Sequence, residues 1–157
     1  MSSRHRRLRK NPVKVMMLSQ PIAAPAAAVY RLLIDLPARM KWIDGIQRIE
    51  FRDEQPNHIG KVHRCVRDGI DAELVTSDVK VGAEAMELCE TDTKKIAACR
   101  YRVVRAGNDT TDMQVEFYVR DSVLMRLVFK ALVARKLKAS FTRSLHNLAR
   151  LAEATAT

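Results

Sequence analysis

Aromatic side chains are scarce in this sequence. One Trp, three Tyr and four Phe make up 5% of 157 residues, while apolar residues reach 47%. The interior must therefore be built from Val, Leu, Ile, Ala and Met, and such an interior is soft and easily left partly unfilled. No apolar run approaches the roughly 18 residues of a membrane-spanning helix. The basic start leads into Asn11, Pro12 and a short mixed segment, without an apolar h-region or a small-residue cleavage site, which argues against a signal peptide. Three cysteines, Cys65, Cys89 and Cys99, leave one unpaired and have no metal-type spacing. A reducing, cytoplasmic setting is expected, with no metal and no cofactor.

Acid is missing where base is plentiful. Residues 1–12 hold five basic side chains and no acidic one, and residues 121–157 hold seven basic against two acidic. The stretch between them is balanced, so the net charge of +10 sits entirely at the two ends. Basic ends are suited to phosphate-bearing or anionic lipid partners. Nothing resembles a base-reading motif, which ranks nucleic acid below lipid.

Glycine and proline are absent from Asp121 onward, where Leu, Ala, Arg and Lys dominate. These residues lose least on entering a helix, so a long closing helix is predicted over 121–154. Upstream, Val13 to Gln20 reads as a first strand, ended by Pro21 and Pro25. Pro25 is suited to the first position of a helix, which continues through Ala26 to Asp35. Pro37 breaks it and opens a second short helix that Gly45 stops. Ile46, Ile49 and Phe51 belong to a second strand of loose register. Asp68-Gly69 is the dipeptide of a two-residue type I′ turn. It pairs Arg67 with Ile70, Cys65 with Ala72, His63 with Leu74 and, on the outer face, Arg64 with Glu73. A turn at Asp92-Thr93 places Met86, which shares a face with Leu88, opposite Cys99. A loop at 107–109 pairs Tyr101 with Val115 and Cys99 with Phe117. A bulge is expected near 77–80, because Val75, Val79 and Val81 break the alternation. Residues 1–12 read as a disordered basic tail and 13–154 as one domain.

Three stretches, Pro21-Ile22-Ala23-Ala24-Pro25-Ala26 running into Val29-Tyr30-Arg31-Leu32-Leu33-Ile34-Asp35, Lys41-Trp42-Ile43-Asp44-Gly45-Ile46, and Ile59-Gly60-Lys61-Val62-His63-Arg64-Cys65, carry a likeness. Together with the closing helix, the sequence resembles the START-like (SRPBCC) superfamily, and within it the polyketide cyclase/dehydrase or coenzyme-Q-binding type of small protein. The resemblance implies an α+β helix-grip fold, with a curved antiparallel sheet of about seven strands wrapped around the C-terminal helix and two short helices after strand 1. It also implies a cavity between sheet and helix for a lipid, quinone or polyketide-like molecule. No catalytic motif of a cyclase carries over residue by residue.

The residues expected to face a ligand are His63, Cys65, Leu74, Met86, Leu88, Cys99, Tyr101, Val115, Phe117, Leu137 and Phe141. His63 is the sharpest among them. Desolvation disfavours its charged form, and it is suited to act as acid, base or hydrogen-bond anchor. No carboxylate lies at a sequence spacing that would orient it. His63 and Cys65 share a face but fall short of the three or four ligands of a zinc site. Two functions stay open: a binding or transport module for a hydrophobic or amphipathic small molecule, and a cyclase- or dehydratase-type enzyme using His63 with Tyr101.

The closing helix contains a conflict. At 100° per residue, Leu124, Leu127, Val128, Ala131 and Leu132 form one apolar stripe, whereas Leu137, Phe141, Leu145, Leu148 and Ala152 form another turned by roughly 110°. One straight helix cannot lay both on the same sheet. Either the segment kinks near 133–136, or the first stripe faces a dimer partner, a membrane surface or the cavity mouth.

Overall fold

A computed structural model describes residues 12–157. The basic tail expected over 1–12 thus lies outside the described residues, apart from Pro12. The elements run β1 (Val13–Ile22), α1 (Ala26–Leu33), α2 (Leu36–Trp42), β2 (Ile46–Phe51), β3 (Val62–Arg67), β4 (Ile70–Val81), β5 (Ala85–Asp92), β6 (Ala97–Arg105) and β7 (Thr111–Val119). A helical segment then closes the chain as α3 (Val123–Val128), a π-helical turn (Phe129–Val133) and α4 (Ala134–Ala156). All seven strands form one antiparallel sheet in the order β1-β7-β6-β5-β4-β3-β2. This is the helix-grip arrangement.

Local chemistry sets the boundaries. Pro25 takes the N-cap position of α1 in extended backbone, one residue before the first helical position expected for it. The Asp35 side chain accepts from the Ala38 N–H at 3.1 Å and caps α2, with Pro37 in the first turn where its missing N–H costs nothing. Gly45 ends this region at φ 71°, and a Cβ there would sit 2.2 Å from an Asp68 carboxylate oxygen. Asp68 and Gly69 take φ of 49° and 78°, as a type I′ turn demands.

The β3–β4 register matches the turn chemistry, with His63 opposite Leu74 and Cys65 opposite Ala72. Arg64 stands opposite Glu73 in register, but its guanidinium forks onto Asp71 and approaches Glu50 at 3.7 Å. The diagonal partner wins because a carboxylate there fits two guanidinium nitrogens at once. The expected bulge falls between Thr76 and Asp78, and a second irregularity between Ile46 and Arg48 explains the uneven spacing of β2. Between β5 and β6 the expected register is wrong. Met86 lies opposite Val103 and Cys99 opposite Glu90, because the connection spans residues 93–96 with Lys95 at positive φ. The slip is an even number of residues, so every side chain keeps its face.

The closing segment breaks phase a turn earlier than expected. The interruption is the π-turn at Phe129–Val133, where an extra residue per turn rotates α4 relative to α3. The α4 stripe of Phe141, Leu145, Leu148 and Ala152 is buried against β1, α1 and α2. Each of the larger side chains contributes about 1.5–3 kcal/mol by leaving water. In α3 and the π-turn only Phe129 is buried, and the first stripe points to solvent.

Gly45→Ala is expected to destabilise the fold by about 1–3 kcal/mol, since it combines a left-handed backbone with a collision against Asp68. Urea denaturation of the pure protein checks this. An unchanged midpoint would show that the α2–β2 junction relaxes freely.

Candidate functional site

The inner face of the sheet is apolar at one side and polar at its centre. Leu88, Tyr101 and Val115 lie in register across β5, β6 and β7 and are buried, as is Cys99 beside them. Phe117 on β7 stacks on Phe129 of the π-turn at 5.6 Å between ring centroids and meets Phe141 of α4 at 6.3 Å. These three rings bring the closing helix onto the sheet.

A buried ionic cluster interrupts this apolar surface. Arg39 of α2 and Glu90 of β5 are each only 2% exposed. The Arg39 Nη1 lies 2.9 Å from Glu90 Oε1 and donates to Oε2 at 3.1 Å, while Nε donates to the Leu33 carbonyl at 2.8 Å. The guanidinium also sits 5.7 Å from the centre of the Tyr101 ring. His63 is buried on β3 with its Nε2 4.0 Å from Glu90 Oε1, longer than a hydrogen bond. No carboxylate stands at a sequence spacing that would orient His63, but the fold brings Glu90, two strands away, to 4.0 Å from it. Among the described residues, Arg39 Nη2 and His63 Nδ1 are buried nitrogens without a hydrogen-bond partner.

Burial dominates the electrostatics of these groups. It pushes His63 below the ordinary histidine value of 6.5; Glu90 pulls the other way and Arg39 adds to the lowering. His63 is accordingly neutral at pH 7. For Arg39, burial opposes the charge, yet Glu90 and the neighbouring groups outweigh it and hold the guanidinium protonated. Tyr101 is raised well above its usual range by burial, and burial likewise raises the Cys99 thiol beside it. Cys65 is raised for the same reason. None of these thiols or phenols is an anion at neutral pH.

Several inward-facing residues stay only partly covered: Cys65, Leu74, Met86, Phe117 and Leu137 are half-buried. Leu74 and Phe117 lie toward the end of the sheet from which α3 departs and, with Cys65 and Leu137, edge a mouth there, whereas Met86, opposite Val81 and Val103, lies toward the other end. This mouth is bridged by Arg67, whose guanidinium lies 4.9 Å from the Phe141 ring centre and donates to Ser140 and, at 3.4 Å, to Ser144. Two open surface hollows lie elsewhere. One of about 370 Å³ is bounded by Pro21–Ala23, Thr110–Asp112 and Glu153, and one of about 530 Å³ by Lys41, Asn147 and Arg150. Neither includes any residue of the ionic cluster. The grip is thus closed by Phe129, with the partly covered residues at its edge. Trp42 is buried in the core and donates to the Leu32 carbonyl at 3.3 Å.

A family model described as polyketide cyclase/dehydrase and lipid transport matches residues 16–153. The chain belongs to this family. Solved structures related to it show the same fold at low identity. A hypothetical protein from Helicobacter pylori superposes with a TM-score of 0.71 at 11% identity, covering 87% of this chain and 88% of its own. The KanY protein gives 0.70 at 17%, covering 91% and 99%. An aromatase/cyclase from Streptomyces sp. R1128 gives 0.61 at 17%, covering 89% and 95%. No curated protein sequence matches the chain. In this family setting, the helix-grip fold is a scaffold for hydrophobic ligands.

Sequence reasoning missed Arg39, Glu90 and Phe129. Glu90 continues the inward alternation of Met86 and Leu88, and Arg39 sits three residues from both Leu36 and Trp42 on the buried face of α2. Those spacings were the available signal; charge at a core position is what made them look like surface.

Replacing Arg39 by Met strands a buried carboxylate and is expected to cost about 3–5 kcal/mol, whereas Arg39→Met with Glu90→Met returns close to wild-type stability. Chemical denaturation of the two single variants and the double variant measures the difference. Because the folded-state pKa of His63 is depressed, its contribution is fully present above pH 6.5 and is lost as pH falls through the lower folded value. The slope of stability against pH below 6.5 should flatten in His63→Gln; an unchanged slope would place the titration elsewhere.

Proposed function

We propose that this protein binds a hydrophobic or amphipathic small molecule, of lipid, quinone or polyketide-like type, between the sheet and its closing helix. The observation that carries the proposal is the pair of unpartnered buried nitrogens, Arg39 Nη2 and His63 Nδ1, at the inner end of an apolar surface. A buried donor without a partner costs about 1–3 kcal/mol. A ligand oxygen accepting from Arg39 Nη2 and a ligand hydroxyl donating to His63 Nδ1, whose Nε2 faces Glu90, recover that cost, while Leu74, Phe117 and Leu137 receive the apolar body. The ligand enters where these residues are half-buried, displacing Phe129 from its stack on Phe117.

The family name and the Streptomyces aromatase/cyclase favour ligands with ketonic and hydroxyl oxygens, the first accepting from the guanidinium and the second donating to the neutral histidine. A second reading, cyclisation or dehydration with His63 as acid or base, is favoured by the Glu90 carboxylate 4.0 Å behind the imidazole. In that reading Glu90 stabilises the imidazolium as His63 takes a proton. Turnover would depend on a single ionisation below 6.5 and would vanish in His63→Gln with binding retained.

A thermal-shift panel of fatty acids, quinones and aromatic polyketides tests the binding reading. A ligand present at a hundred times its Kd adds about 2.7 kcal/mol of stability, so its class raises Tm by several degrees. Leu74→Trp, which fills the entrance, should keep the unliganded Tm and abolish the shift. A ligand that stabilises both proteins equally binds outside the grip and contradicts the proposal.

A further inference from the structure

The apolar stripe at the start of the closing helix has no partner among the described residues. Leu124, Leu127 and Leu132 are 69%, 60% and 77% exposed, and Val123 and Val128 lie beside them in exposed positions. Single exposed apolar residues are ordinary, but five large ones within ten residues form a patch that marks an interaction surface.

The charges around the patch say what covers it. From Ser122 to Ala152 there is no acidic residue and there are seven basic ones. Arg126 pairs with Asp121 at 3.6 Å and Arg143 with Asp44 at 2.9 Å. Lys130, Arg135, Lys136 and Lys138 make no ion pair among the described residues. The sheet register adds to this end of the molecule. Leu74 opposite Asp92, and Ala97 opposite Val119, bring the β3–β4 tip and the β5–β6 turn to the end of the sheet from which α3 departs. Ile70 is exposed at that tip, and Lys94 and Lys95 occupy that turn. Of the acids there, Asp71 is engaged by Arg64 and Asp92 by the Ile96 and Ala97 N–H groups, while Glu73 is exposed and makes no ion pair among the described residues.

We propose that this end of the molecule, centred on Leu124, Leu127 and Leu132, docks on an anionic lipid bilayer. The leucines enter the headgroup region, and the lysine and arginine stems lie along the surface with their charges at the phosphates. A second copy of this chain fits the patch less well. A twofold interface sets a surface against itself, so Lys130, Arg135 and Lys136 would face their own equivalents. The inference goes beyond the ligand-binding reading and does not depend on it, although Phe129, which lies in the same segment but faces inward, is the ring that stacks on Phe117.

The test is co-sedimentation of the full chain with phosphatidylcholine vesicles, with and without phosphatidylglycerol, at low and high salt. Binding is expected only to the anionic vesicles and should weaken as salt rises. Leu124→Ser with Leu127→Ser and Leu132→Ser should reduce it by about tenfold or more at unchanged Tm, the side chains being exposed. Lys130→Gln with Lys136→Gln, a milder change, should weaken binding at low salt and leave little difference at high salt. Three results overturn the proposal. One is failure to bind anionic vesicles. Another is undiminished binding by the leucine variant, which would assign it to charge elsewhere in the chain. The third is a concentration-dependent dimer in gel filtration that the leucine variant dissolves.

Discussion

The ion pair between Arg39 and Glu90 fixes the relation between the connecting helices and the sheet. Two charges removed from water cost several kcal/mol each, and only their short contact, with the Leu33 carbonyl as a third partner, makes that placement tolerable. A pair of this kind gives little net stability, but it has geometric consequences. It ties α2 to the middle strand of the sheet and holds a guanidinium over the Tyr101 ring. The adjoining His63 is pushed below its ordinary value by burial; Glu90 opposes that lowering and Arg39 adds to it.

Around that pair the grip divides the labour. The β5–β6–β7 side, with Leu88, Tyr101 and Val115 in register, is a packed wall. The β3–β4 side is looser, since Cys65 and Leu74 face inward with little laid over them. The scarcity of rings makes this asymmetry: three of the four phenylalanines, Phe117, Phe129 and Phe141, meet at one corner. The π-turn supplies the third ring. It turns Phe129 inward while the residues before it face out, so closing the grip and presenting an apolar face to the exterior are two results of one backbone irregularity.

The sequence carried most of the architecture because its turn residues are specific. Asp68-Gly69 admits one register for β3 and β4, and Pro25, Pro37 and Gly45 bound the two short helices. The connection after Asp92 has no such dipeptide, and there the register of β5 against β6 departs from the expected one, although side-chain parity survives. The conflict between the two helix stripes was readable from 100° arithmetic, but its resolution as a π-turn was not, since that depends on where Phe129 finds Phe117. The burial of His63, Leu88, Cys99, Tyr101 and Val115 was legible from strand alternation, and that of Phe141 from the helical stripe. The ionic centre was not, because Arg39, His63 and Glu90 lie on three elements and only the curvature of the sheet brings them within reach.

The central claim is that the Arg39–Glu90–His63 cluster anchors the polar end of an apolar ligand held in the grip. Native mass spectrometry of the protein purified from its own host, beside the Arg39→Met, Glu90→Met double variant, tests it most directly. The account predicts a non-covalent adduct of a small apolar molecule on the wild-type protein and none on the folded double variant. The same adduct on both proteins, or on neither, would contradict it.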